Sequence, residues 1–326
     1  MDHLSHSPRL RPTLAGEFWM IGPAPGYAEL ARSSRPMIRR ECVDHHLFRG
    51  LDGTWHLWGC IRGTVTGRIL YHWEGERLDL GPWLPTGESL RPDRSAGESL
   101  EDWEGQEWIQ SPFVVRYNSL FYFFFGGHST GVDRQGHAVP FGDSSVECQI
   151  CLRTSKDGRT WERYRNEHGQ SRLFAGPGEA RDPCVIRIGE TWYLYYAGHE
   201  SGNPLQPGIY LRTSSDLIHW SAPNLIHRTH QFGIGRWTHE CPHVVQRGDC
   251  FYLFRTEDYD RARTHIFWSK DPTDFGIDQA AGEKYLGLLP LVAPEVIVDE
   301  DGNEYITSCH DLLNGIQICR LAWIND

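Results

Sequence analysis

The sequence predicts an all-β fold, a five-bladed β-propeller built as one domain over residues 1–326. Two observations predict it: a strand–turn–strand unit that recurs five times, and turn residues in the middle of every copy. The first copy runs Asp44-His45-His46-Leu47-Phe48-Arg49, turns at Asp52-Gly53, and returns through Trp55-His56-Leu57-Trp58. The second runs from Ser111-Pro112-Phe113 to Arg116, turns at Asn118-Ser119, and returns through Phe121 to Phe125. The third starts at Asp182-Pro183-Cys184, turns at Gly189-Glu190, and returns through Trp192 to Tyr196. The fourth starts at Cys241-Pro242-His243, turns at Gly248-Asp249, and returns through Phe251 to Phe254. The fifth starts at Ala293-Pro294-Glu295, turns at Asp301-Gly302, and returns through Tyr305-Ile306-Thr307.

Each copy has the turn chemistry and aromatic, β-branched flanks of a hairpin. A third strand-like segment follows several of them, as in residues 149–154, 209–213 and 265–269. The period of roughly 50 to 70 residues suits a four-stranded blade with loop insertions. A single hairpin leaves one face uncovered, so five must pack around an axis. Residues 1–40 are read as an N-terminal extension or closing segment, with one terminus pairing with the other end's blade. The stretch Gly87 to Gly105, rich in Gly, Pro, Ser and charge, reads as a long surface loop. A β-sandwich is the competing architecture, since it also uses short strands at regular spacing.

Composition narrows the function. The formal charge is −11 with basic residues scattered, which disfavours a phosphate-backbone partner such as nucleic acid. No apolar run approaches the ~20 residues of a membrane-spanning helix, and Met1 to Leu14 lacks the apolar stretch of a secretory leader. Nine cysteines, an odd number placed mainly in strands, fit free thiols in a reducing compartment, so the expected location is cytoplasmic. Cys148 and Cys151 form a CxxC with no second pair, and neither a metal nor another cofactor is expected.

The repeat turns polar where its strands begin. Asp44, Asp182 and Glu240 are read as standing at equivalent points, the strand starts of copies one, three and four. The innermost strands of a propeller line its axis, so these three carboxylates are expected to meet at one mouth of the channel. Like charges in one pocket resist ionising together, which leaves one carboxyl protonated. Glycoside cleavage requires that division: one carboxyl protonates the leaving oxygen while another attacks or activates water. Return strands end at His128, His199 and His310, expected on the same rim, where their rings could meet hydroxyls, phosphate or a metal; ordinary turn histidines are the alternative, and no metal site is assigned. His45, Trp237 and His239, close to the acids in sequence, and Gln110, at the start of copy two, join them as expected substrate-binding residues. Trp58 or Trp237 would offer an aromatic platform for a sugar ring.

Arg181-Asp182-Pro183 and Glu240-Cys241-Pro242 resemble the Arg-Asp-Pro and Glu-Cys-Pro motifs of glycoside hydrolase family 32, whose clan with families 43, 62 and 68 shares a five-bladed propeller. The resemblance covers nearly the whole chain in motif order. It implies Asp44 as nucleophile or base, Asp182 as stabiliser of the oxocarbenium-like transition state, Glu240 as general acid/base and Arg181 as the residue orienting Asp182 and the sugar. Where that family has Asn-Asp-Pro-Asn-Gly, this chain reads Val43-Asp44-His45-His46. The C-terminal β-sandwich of family 32 is missing, as in the single-domain families 43 and 117. The implied substrates are oligosaccharides or glycosides of β-fructofuranose or α-L-arabinofuranose. Family 32 motifs suggest retention and family 43 architecture inversion, which carboxyl separations of about 5 Å or about 6.5–9.5 Å would distinguish. Two alternatives stand beside hydrolysis. One is a glycoside phosphorylase like family 130, with Arg181, Arg236 and Arg255 cradling phosphate. The other is a non-catalytic carbohydrate-binding propeller.

Overall fold

A computed structural model describes residues 9–25, 41–64, 66–102, 105–140, 147–309 and 311–326, and these are nearly all β. All five predicted hairpins form, each the start of an antiparallel meander. The first meander is Glu41–Arg49, Trp55–Thr64, Gly67–Gly75 and Leu84–Leu90. The second is Glu107–Tyr117, Leu120–His128 and Cys148–Ser155, edged by Glu162–Arg163 and Arg172–Ala175. The third is Arg181–Ile188, Thr191–Glu200, Asn203–Ser214 and Asn224–His227. The fourth is Glu240–Arg247, Cys250–Asp258, Arg263–Ser269 and Tyr285–Leu289.

The fifth meander joins both ends of the chain. Val296–Val298, Glu304–Cys309 and Gly315–Asn325 pair in order, and Leu10–Leu14 and Trp19–Pro23 both pair with Gly315–Asn325. The closing residues left open by the sequence are therefore 10–14 and 19–23.

Apolar faces of successive meanders pack on one another. Phe48 and Trp58 of the first meet Phe121 and Phe123 of the second. Phe124 and Ile150 join Leu194 and Tyr195 of the third and Leu253 and Phe267 of the fourth. Tyr252 and Phe254 then meet Ile306 and Cys319 of the fifth, and Ile316 and Ile318 return to Leu57 and Trp73 of the first. Trp58 is 1% exposed and belongs to this core, so it offers no platform to a sugar.

The stretch read as a surface loop, 87–105, is more ordered than expected. It includes the end of Leu84–Leu90 and a short 3-10 turn, Arg94–Ala96. Glu98 within it is wholly buried, accepting from Arg153 Nη2 at 2.8 Å and Arg163 Nε at 3.0 Å. Two guanidiniums compensate the buried charge, which composition alone does not reveal.

The first strands of the meanders lie side by side: Glu41–Arg49 contacts Glu107–Tyr117, which contacts Arg181–Ile188, which contacts Glu240–Arg247. Their starts share one irregularity. The pairing slips by one residue between Cys42 and Asp44, Gln110 and Phe113, Arg181 and Cys184, and Glu240 and His243. In the later copies the residue before proline has a left-handed backbone: Ser111, Asp182, Cys241 and Ala293, with φ of 52, 57, 47 and 47°. Such conformations are costly for residues with a side chain, and together with the bulge they re-aim the neighbouring side chains. In a regular strand adjacent side chains face opposite ways. The bulge lets two consecutive residues, such as Arg181 and Asp182, reach the same space.

Below these starts runs a buried polar column. Glu295 Oε1 accepts from His46 Nδ1 at 2.8 Å, and Thr307 Oγ1 meets His45 Nε2 at 2.6 Å. Burial favours the neutral acid, yet His46, with His45 and His243 behind it, outweighs burial and holds Glu295 below the usual glutamate value. Removing one member of such a pair leaves the other unmet in the interior. Glu295→Ala is expected to cost about 3–5 kcal/mol of stability, read as a lower urea midpoint.

Candidate active site

The three carboxylates converge on a cavity of about 740 Å³ lined by Asp44, Asp182 and Glu240 together with Arg68, Gln110, His128, Arg181, Arg236 and Trp237. They are wired to one another. Ser111 Oγ lies 3.0 Å from Asp44 Oδ2 and 2.6 Å from Asp182 Oδ1, so one hydroxyl proton serves two carboxylates. Arg181 Nη1 spans Asp182 Oδ2 at 2.8 Å and Glu240 Oε1 at 2.6 Å, and its Nη2 reaches Glu179 Oε1 at 3.3 Å. The backbone N–H of Cys241 donates to Asp182 Oδ2 at 3.0 Å. Asp44 Oδ1 accepts from Tyr259 Oη at 2.9 Å and from the Cys241 thiol at 3.3 Å.

Electrostatics separate the acids. Burial is the main force lifting the Glu240 carboxyl to about 7. Arg181 opposes it, and the neighbouring Asp182 and Asp44 charges add to it. Glu240 can therefore hold a proton near neutrality, and its side chain retains 12% exposure toward the cavity. Asp44 is also raised, by burial and then by Asp182, while Arg68, Tyr259 and Cys241 pull it back down. Burial keeps the Tyr259 phenol and Cys241 thiol protonated, so both are donors to Asp44.

Other expected site residues divide into two groups. Arg181, Gln110, His128 and Trp237 line the cavity. Trp237 is 53% exposed, with the guanidinium carbons of Arg236 and Arg181 at 4.3 and 5.1 Å from its ring centre. His128 stands edge-on to Trp108 at 4.6 Å, and burial, then the surrounding arginines, drives its ring down to about 3, so it is neutral. His45, His199 and His239 do not line the cavity. His45 points to Thr307, His199 Nδ1 faces the carbonyl of Glu200 at 2.9 Å, and His239 Nε2 accepts from the N–H of Thr229 at 3.2 Å. Alternation along their strands turns His45 and His199 away from the three acids, while His239 precedes the strand Glu240–Arg247 and is held by Thr229. His310 lies outside the described residues.

The matching of acids to the repeat also needs correction. Asp182 aligns with Ser111, Cys241 and Ala293 by its left-handed backbone, so Glu240 aligns with Arg181 and Gln110, one residue earlier. Ser111, Tyr259, Arg68 and Glu179 were missed. Ser111 was legible, since Ser111-Pro112 stands in the repeat where Asp182-Pro183 does. Tyr259 follows the second strand of the fourth meander in a segment without a repeat counterpart.

Three groups among the described residues bring ligand atoms close enough to share a cation: Asp44–Asp182–Cys241, Glu147–Glu179–His199 and His56–His72–Glu74. In each, an acid already has a cationic partner: Arg181 on Asp182, Arg236 on Glu147 and Glu179, and Arg159 on Glu74. Arg255, offered as part of a phosphate cradle, is fully buried and donates to the carbonyl of Thr238.

Residues 175–322, which carry both tripeptides, match the family model described as glycosyl hydrolases family 43. That match covers somewhat under half of the chain and supports a glycoside hydrolase of the propeller group that includes families 32, 43 and 68. Its similarity to the curated sucrose-6-phosphate hydrolase of Escherichia coli is 25% identity over 201 residues, 60% of this chain and 35% of that protein. Among solved structures, the GH32 β-fructofuranosidase of Bombyx mori superimposes with a TM-score of 0.54 at 16% identity, covering 86% of this chain and 58% of that one. The GH43_1 enzyme of Xanthomonas citri gives 0.57 at 13% identity, covering 90% of this chain and 92% of that one. An α-L-arabinofuranosidase from Lactobacillus brevis gives 0.55 at 13%, covering 86% and 90%. The chain thus spans about a third of the curated relative and somewhat over half of the Bombyx mori structure. The superfamily's propeller architecture agrees with the meanders that carry the acids.

Proposed function

We propose that residues 1–326 form one five-bladed propeller that hydrolyses furanosides, of the β-fructofuranoside or α-L-arabinofuranoside kind. Asp44 is the nucleophile or base, Asp182 holds sugar hydroxyls and stabilises positive charge, and Glu240 protonates the leaving oxygen. The observation that carries this reading is the bonded chain Asp44–Ser111–Asp182–Arg181–Glu240 within one cavity. Trp237, at the exposed side of that cavity, is the platform for a sugar ring. The nine unpaired cysteines support a reducing, cytoplasmic setting.

Turnover of aryl α-L-arabinofuranosides, aryl pyranosides, sucrose, inulin and levan tests the reading. Cleavage of the furanosides is the expected result, and no cleavage of any member would overturn it. Phosphate added to the same assays should leave the rate unchanged, since Arg181 and Arg236 are already paired with carboxylates. A rate that rises with phosphate would favour a phosphorylase.

The pH profile of kcat/KM is set by the two raised carboxyls. Glu240 must hold its proton, so activity falls as pH rises through about 7. Asp44 must be ionised, so activity falls on the acid side, at a pH above the ordinary aspartate value. A bell with its alkaline limb near 7 is expected.

A further inference from the structure

Four arginines line the cavity, and three are matched by acids: Arg62 by Glu41, Arg181 by Glu179, Asp182 and Glu240, and Arg236 by Glu147 and Glu179. Arg68 is different. Among the described residues no carboxylate pairs with it; its Nη1 donates to Gln110 Oε1, and its guanidinium carbon lies 5.2 Å from the centre of the Trp108 ring. A half-buried cation without a counter-ion is uncommon unless its charge acts on something nearby.

The backbone fixes where that charge stands. Gly67 and Arg68 pair in parallel with Glu107 and Trp108, the link that joins the first and second meanders. At Gly67, φ is 100°, and a β-carbon there would lie 2.3 Å from the carbonyl oxygen of Glu107. Only glycine allows that approach, so residue 68 is seated against residue 108 by the chain itself.

We propose that Arg68 is a positioning residue that acts through Asp44, as the standing counter-charge that keeps this carboxylate in its attacking form. The inference rests on the role given to Asp44 above. The groups facing Asp44 come from each element around it. Its own strand brings Cys42, and the adjacent strand Cys60. The second meander brings Ser111, the third Asp182, the fourth Glu240, Cys241 and Tyr259, and the fifth Cys309. The thiols, the phenol and the serine are neutral, Glu240 holds its proton near neutrality, and Asp182 opposes a charge on Asp44. Arg181 is shared among three acids of its own. Arg68 is the cation left to offset burial and like charge, and its effect on Asp44 has that sign. His128, held neutral partly by the charge of Arg68, adds no competing cation.

The test reads Asp44 directly, by carboxyl carbon NMR titration of protein labelled at aspartate, with Asp44→Asn assigning the signal. Arg68→Gln should raise the Asp44 midpoint by about one pH unit, and Arg68→Lys should restore most of it. Gln110→Leu, which cuts the tether but keeps the cation, should give a smaller upward shift and serves if Arg68→Gln does not fold. In kinetics the acid limb of kcat/KM should move with the midpoint while the alkaline limb stays. An Asp44 midpoint unchanged in folded Arg68→Gln would overturn the proposal, as would a raised KM with both limbs unmoved. If no glycoside is cleaved, the reaction assigned to Asp44 falls, while the NMR titration still decides whether Arg68 governs its charge.

Discussion

Glu240→Ala is expected to lower kcat by ~10²–10⁴-fold on glycosides with poor leaving groups, such as an alkyl furanoside or a disaccharide. An aryl furanoside with an acidic phenol should lose far less, because its leaving oxygen needs little protonation. The contrast between the two substrates is the decisive reading. A loss of equal size on both would mean that Glu240 does not act as the acid. Arg181 gives a second handle on the same group. Its Nη1 contacts Glu240 at 2.6 Å, and its positive charge opposes the burial that lifts the carboxyl. The variant should also lack the alkaline limb near 7 when assayed on the activated substrate.

Asp44→Asn should abolish turnover of both substrate types, by ~10⁴-fold or more, since neither can proceed without attack at the sugar carbon. Asparagine retains one oxygen to accept from Tyr259, and its amide N–H can donate to Ser111 Oγ, whose own proton then goes to Asp182, so the fold should survive and binding of a product sugar should persist. The same substitution removes one of the like charges that lift Glu240. Its carboxyl midpoint should therefore fall, which NMR can follow in a protein that no longer turns over. A Glu240 midpoint that stays in place would show that the two acids do not sense each other across the cavity.

The sequence carried the hairpins and the identity of the acids more readily than the aim of individual side chains. Gly and Asp turns flanked by aromatic runs define strands locally, and the five copies repeat those local signals. The one-residue bulge at each strand start depends on pairing between strands, and no single segment encodes it. This is why Glu240 was matched with Asp182 when it aligns with Arg181. It is also why His45 and His239, each adjacent in sequence to one of the three acids, are expected in the site although their rings turn toward Thr307 and Thr229. Tyr259 and Arg68 belong to no motif. They reach Asp44 only because the fourth meander and the third strand of the first bring them there, a long-range fact of assembly. Ser111 is the instructive omission, since a hydroxyl at the position of Asp182 in another copy is what a bridge between two acids requires.

The strand Gly315–Asn325 is paired on one side by residues 10–14 and 19–23 and on the other by Glu304–Cys309. During synthesis, the opening segment must wait until nearly three hundred further residues have left the ribosome before it finds its neighbour. Until then Ile21 has no Ile316 to cover it, and Leu57 and Trp73 stay uncapped on that side. A nascent chain stalled at residue 300 should thus be cut readily by protease around residues 10–23, and emergence of residues 315–325 should bring protection there in a single late step.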